Sequence, residues 1–156
     1  MNAQTKLPNR VVMTMTRVIN APREAVFKAW TVPEQFAQWW GPRGFTNPVC
    51  DIDVRPGGKM LVHMMAPDGN VYPMTGTFHE IVEPHRLVFS AEAVDHNGGI
   101  QLSEAAVISF ETSGRATKLT VHADAIAVAP IAPQMLAGME QGWAQSLDRL
   151  DDAVKI

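Results

Sequence analysis

From Arg10 to Ile19 the chain is rich in β-branched residues and methionine, with Thr14 and Thr16 alternating against Met13 and Met15, which predicts a strand. Asn20-Ala21-Pro22 ends it, and Pro22 suits the first position of a helix, where its missing N–H is not needed. Val26, Phe27 and Trp30 then recur at helical spacing, and Pro33-Glu34 starts a second short helix carrying Phe36, Trp39 and Trp40. Between Phe45 and Ala125 short apolar segments are separated by Pro56-Gly57-Gly58, Pro67-Asp68-Gly69-Asn70, Glu83-Pro84, Asn97-Gly98-Gly99 and Ser113-Gly114. These turn chemistries divide the stretch into six strands, and tight turns between sequential strands make an antiparallel meander. Pro130 and Pro133 end the sheet. From Ala132 to Lys155, Met135, Met139, Trp143, Leu147, Leu150 and Val154 form one apolar stripe on a single long helix. A stripe of that length needs a large apolar partner, and the sheet is the only one available. The expected fold is α+β: a seven-stranded curved antiparallel sheet, in the order β-α-α-β6-α, around a long C-terminal helix. Residues 1–9 are a tail and 10–156 a single domain.

Composition narrows the function classes. A net charge of −3 with scattered Lys and Arg excludes a phosphate-binding stripe or a polybasic membrane patch. No segment approaches a membrane span, and Met1 to Arg10 holds no apolar run of the signal-peptide kind, so a cytoplasmic location is expected. Cys50, the only cysteine, sits in a strand-like segment and reads as a buried thiol.

The order of elements, together with particular residues, resembles the START-like (SRPBCC, helix-grip) superfamily. Within it, the chain is similar to the branch named after the activator of heat-shock protein 90 ATPase (homologue-1-like). The matching features run from Ile19-Asn20-Ala21-Pro22-Arg23-Glu24-Ala25-Val26-Phe27 through Trp39-Trp40-Gly41-Pro42 and Asp53-Val54-Arg55-Pro56-Gly57-Gly58. They continue with Pro67-Asp68-Gly69, Gly76, Glu83-Pro84-His85-Arg86-Leu87 and Gly142-Trp143 leading to Leu147-Asp148-Arg149-Leu150. The resemblance implies a helix-grip fold and, through the branch name, a link to stress response. It supplies no shared catalytic motif, because the superfamily includes lipid carriers, cyclases, hormone receptors, sequestering proteins and co-chaperone domains. Similar proteins often pair, so a homodimer is an expectation of the resemblance alone.

Candidate ligand-lining residues are Trp39, Trp40, Phe45, Met60, Val62, Met64, Met74, Met135, Met139 and Trp143. Flexible, polarisable methionines suit a wall that must fit varied apolar shapes, and core packing is the alternative for each. Met60, Val62 and Met64 share one strand face, while Leu61, His63 and Met65 share the other. Adjacent residues on a helix cannot both face inward, so one of Trp39 and Trp40 is expected inside and the other at a rim or an interface. His63 and His122 become polar ligand contacts only if they point inward. Asp51, Asp53, Glu80, Glu92 and Glu104 are the carboxylates available for acid–base work. His79 and His85 lie six apart across a turn, unlike the helical HExxH zinc pattern, so no metal site is read. No cofactor, nucleophile elbow or phosphate-binding loop is read either. The first functional reading is non-enzymatic binding of a hydrophobic or aromatic small molecule between sheet and helix. An enzyme of the cyclase or hydrolase kind is the second, and it requires an inward polar group with a shifted pKa. A co-chaperone-like interaction domain is the third.

Overall fold

The computed structural model describes residues 2–7, 9–129 and 132–155. Strand β2 (Arg10–Ile19) buries Val11, Met13, Met15 and Ile19 on one face, as its alternation predicts. Helices α1 (Arg23–Thr31) and α2 (Pro33–Trp39) follow. Pro22 caps α1 in an extended conformation, one residue before the position expected of it, and Pro33 opens α2.

The meander comprises β3 (Thr46–Ile52), β4 (Lys59–Met65), β5 (Val71–Val82), β6 (Arg86–Val94), β7 (Ile100–Ser113) and β8 (Ala116–Ala127). Residues expected to trail as a tail instead form β1 (Asn2–Leu7), which pairs antiparallel with β2 and adds an eighth strand at the edge. The sheet order is β1-β2-β8-β7-β6-β5-β4-β3. Because β2 lies near one edge and β3 at the other, the chain between them must cross the whole sheet. That crossing places α1 and α2 over the concave face.

The C-terminal segment departs from expectation. It is two helices, α3 (Ala132–Ala137) and α4 (Met139–Val154), because the backbone at Gly138 (φ −93°, ψ 0°) leaves helical values. Glycine is the weakest helix former after proline, and the two pieces serve different clusters. Leu136 packs with Val11 and Ala125, whereas Trp143, Leu147 and Leu150 enter the main core. The Pro130 part of the expected sheet-ending break lies outside the described residues.

The main core is aromatic at one end. Trp30 lies 4.7 Å from Trp39, 6.2 Å from Trp40, 6.2 Å from Trp143 and 6.3 Å from Phe110, measured between ring centroids. Large rings fill the concave face beneath α1 and α2. Met13, Met15, Leu87, Ile108 and Leu119 continue the packing, which stops short beside Ala91 and Glu104.

Candidate functional site

Strand register explains where the space arises. Gly76, Ala91, Glu104 and Ala125 are successive cross-strand partners on the inner face of β5, β6, β7 and β8. Of these, Ala91 and Glu104 border a hollow under the first turns of α4, whereas Met60 occupies the space beside Gly76 and Ala125 packs against Leu136. A cavity of about 360 Å³ occupies it, within the size range of small-molecule sites. Its lining is largely apolar and includes Trp40, Phe45, Met64, Met74, Met135, Met139 and Trp143. Tyr72 also lines it and is 45% exposed, which places it at the rim.

Seven of the ten expected lining residues therefore meet in one place, and three do not. Trp39, Met60 and Val62 are core residues away from the cavity. The face shared by Met60, Val62 and Met64 does point inward, but only its Met64 end reaches the hollow. The expectation for the tryptophan pair also needs correction. Both are buried, since Trp40 is no longer helical (φ −61°, ψ 133°) and its side chain is free to turn inward. Neither histidine points in. His122 is exposed and its Nδ1 shares a 2.8 Å hydrogen bond with Thr14 Oγ1, while His63 belongs to the outward face with Leu61.

The inward polar group is Glu104. Its Oε1 accepts a 2.8 Å hydrogen bond from Trp143 Nε1–H. Glu104 is half-buried, and its neighbours across the strands, Ala91 and Ala125, leave its remaining surface facing the cavity. Burial pushes its carboxyl up to about 7 from an ordinary 4.5, and the Trp143 hydrogen bond only partly opposes this. The requirement set above for acid–base chemistry is thus met by one of the five carboxylates named for that work. Alternation carried the signal: Leu102, Glu104, Ala106, Ile108 and Phe110 share one face of β7, and a lone carboxylate on an apolar face is informative.

One wall of the cavity is a loop, and Arg149 makes the largest share of the side-chain bonds that hold it. Arg149 on α4 donates to the carbonyls of Gln38, Trp40, Gly41, Pro42 and Phe45, at 2.9–3.2 Å. Gly41 adopts φ +99°, which a side chain would strain, so the loop can turn its carbonyls toward the guanidinium. Arg43 N–H donates to Gln145 Oε1 at 3.0 Å, and Asp148 accepts from both Arg43 and Arg17. The planar guanidinium suits this clustering of carbonyls better than an ammonium could. Arg149 was not among the expected site residues, because a carbonyl-binding role leaves no mark in residue spacing. Among the described residues, no three His, Cys, Asp or Glu side chains gather to hold a metal, and no helix is long and apolar enough to cross a membrane.

The family model described as activator of Hsp90 ATPase homolog 1-like protein matches residues 20–155. The chain belongs to that family. Membership in the Hsp90 ATPase activator homolog 1-like family supports a ligand-binding type of domain in general. No curated protein matches the sequence. Among solved structures, a protein from Rhizobium leguminosarum is similar at 21% identity and TM-score 0.81, covering 98% of this chain and 97% of that one. A protein from Chromobacterium violaceum is similar at 24% identity and TM-score 0.78, covering 96% and 99%. An AHSA1 protein from Silicibacter pomeroyi shares 22% identity at TM-score 0.72, covering 90% and 95%. These likenesses establish the α+β helix-grip architecture, with its curved antiparallel sheet and C-terminal helix.

Proposed function

We propose that the protein binds a hydrophobic or aromatic small molecule in the cavity between the sheet and α4. The observation that carries this reading is the convergence of Trp40, Phe45, Met64, Met74, Met139 and Trp143 on one hollow that no side chain fills. An apolar hollow of this size, open at the Tyr72 rim and walled by flexible methionines, suits an apolar occupant of varied shape. The test is titration with the neutral fluorophore N-phenyl-1-naphthylamine. Binding should be saturable and of unit stoichiometry, and it should disappear in Gly142→Leu, where a bulky side chain enters the hollow from α4. Fluorescence unchanged by the protein, or equal binding to the Leu variant, would overturn the reading.

One observation favours a second reading, an enzyme in which Glu104 moves a proton. Its carboxyl lies in the hollow with a pKa near neutrality, as a general acid or base requires. Bound ligand recovered chemically unchanged after long incubation with the native protein would set that reading aside.

A further inference from the structure

We propose that the molecule taken up by this cavity is a lipophilic amine: an apolar body carrying one protonated nitrogen that bonds to the Oε2 atom of Glu104. The inference rests on the reading that the cavity binds a small molecule, and it assigns the charge that molecule carries.

Glu104 is alone in its position. Of the other titratable lining residues, Tyr72 stands at the rim on β5, and Glu92 lies on β6 next to the inward Ala91, so alternation turns its side chain outward. There Glu92 Oε2 accepts from Thr75 Oγ1 at 3.1 Å. No Lys, Arg or His lines the cavity among the described residues. The cation on the adjoining part of α4, Arg149, is directed at five backbone carbonyls instead. Glu104 Oε1 has its partner in Trp143, and Oε2 has none among the described residues. The cavity therefore offers one acceptor with a latent negative charge and no counter-charge of its own.

A ligand that brings a cation supplies what is missing. An ammonium beside Oε2 makes a charge-assisted hydrogen bond where water is scarce. The rings of Trp40, Phe45, Tyr72 and Trp143 all line the same hollow, and aromatic faces attract cations through their quadrupoles. An anionic ligand meets the opposite conditions, a like charge and a desolvated carboxylate of its own. The carboxyl of Glu104, held near 7 by burial, adds a signature. Below that pH, ammonium binding must first expel the proton from Glu104. Above it, the carboxylate is already formed. Affinity for an amine therefore rises with pH up to about 7 and then levels off until the amine loses its own proton.

The experiment is calorimetric titration of the full chain with three probes that share an apolar body: 1-naphthylmethylamine, 1-naphthalenemethanol and 1-naphthoate. At pH 8 the amine should bind about ten- to a hundredfold more tightly than the alcohol, and the naphthoate most weakly. Amine affinity should fall about tenfold between pH 8 and pH 6 while alcohol affinity does not fall. In Glu104→Gln the preference for the amine should vanish and alcohol binding should persist. Equal binding of amine and alcohol to the native protein, or a preference that survives in the Gln variant, would overturn the amine assignment and leave the cavity reading intact. Binding of none of the three would overturn both. The pH series on the native protein alone decides the matter should the Gln variant fail to fold.

Discussion

Replacing Glu104 with Gln removes a titrating group while keeping the side chain's shape and an oxygen able to accept the Trp143 Nε1–H. In the unfolded chain the carboxyl titrates near 4.5, and in the fold burial raises it to about 7. Between those values the folded state holds a proton that the unfolded state has released, so stability falls as pH rises through the window. At 1.36 kcal/mol per unit, the full difference makes the native fold about 3 kcal/mol less stable above pH 7 than below pH 4.5 on account of this group. About 2.5 kcal/mol of that change falls between pH 5 and pH 8. Every other titrating group is common to both proteins and drops out of the comparison. Urea unfolding of native and Glu104→Gln protein at pH 5 and pH 8 should show the variant gaining about 2.5 kcal/mol relative to native across that range, or about 5–10 °C in thermal midpoint. Parallel profiles would mean that Glu104 is well solvated, and the account of its environment would be wrong.

Arg149→Ala should cost about 2–4 kcal/mol of stability, since five backbone carbonyls of α2 and the loop after it lose a charged donor, and Arg149→Lys should restore only part of it. Hydrogen exchange of residues 38–45 should accelerate in the Ala variant, and unchanged protection there would deny the loop-holding role. The thiol of Cys50 is pushed up to about 11, first by burial and then by Asp51 and Glu34. Alkylation by iodoacetamide at pH 7.5 should therefore run about a hundredfold slower than for an ordinary cysteine and recover on unfolding; fast labelling of the native protein would contradict this. Gly142→Ala should stabilise the protein by about 1 kcal/mol in urea, because the added Cβ sits 3.9 Å from its nearest neighbour, Pro42, and glycine weakens a helix interior. Destabilisation would show that the site has less room than the structure indicates.

Much of the architecture is legible in residue patterns because local chemistry and global fold agree. The five Gly- and Pro-marked turns, the alternation in Arg10–Ile19 and the stripe from Met135 to Val154 each report a physical constraint on the backbone. The failures share a different cause. Gly138 looks like a tolerated glycine within one helix, and only the docking of Leu136 against Val11 and Ala125 reveals that the chain must bend there. Asn2–Leu7 carries little apolar alternation, yet β2 offers an unpaired edge for it to join. The choice of Met64 over Met60 as a cavity wall depends on where α1 and α2 place their rings, which no strand pattern encodes. Glu104 is one of the five carboxylates named for acid–base work, and its place on β7 could have singled it out. An acidic residue in register with Leu102, Ala106 and Ile108 violates the apolar face it occupies, and such violations mark sites.

The central claim, that an apolar molecule fills the hollow beneath α4, is tested most directly by carbon-13 labelling of the methionine methyl groups and titration with 1-naphthalenemethanol. Met64, Met74 and Met139 line the cavity, whereas Met13, Met15 and Met60 lie in the packed core and serve as internal controls. Ring-current shifts should appear at the first three methyls and saturate together, with the core three unmoved. Shifts absent from the lining methyls, or spread evenly over both sets, would contradict the account.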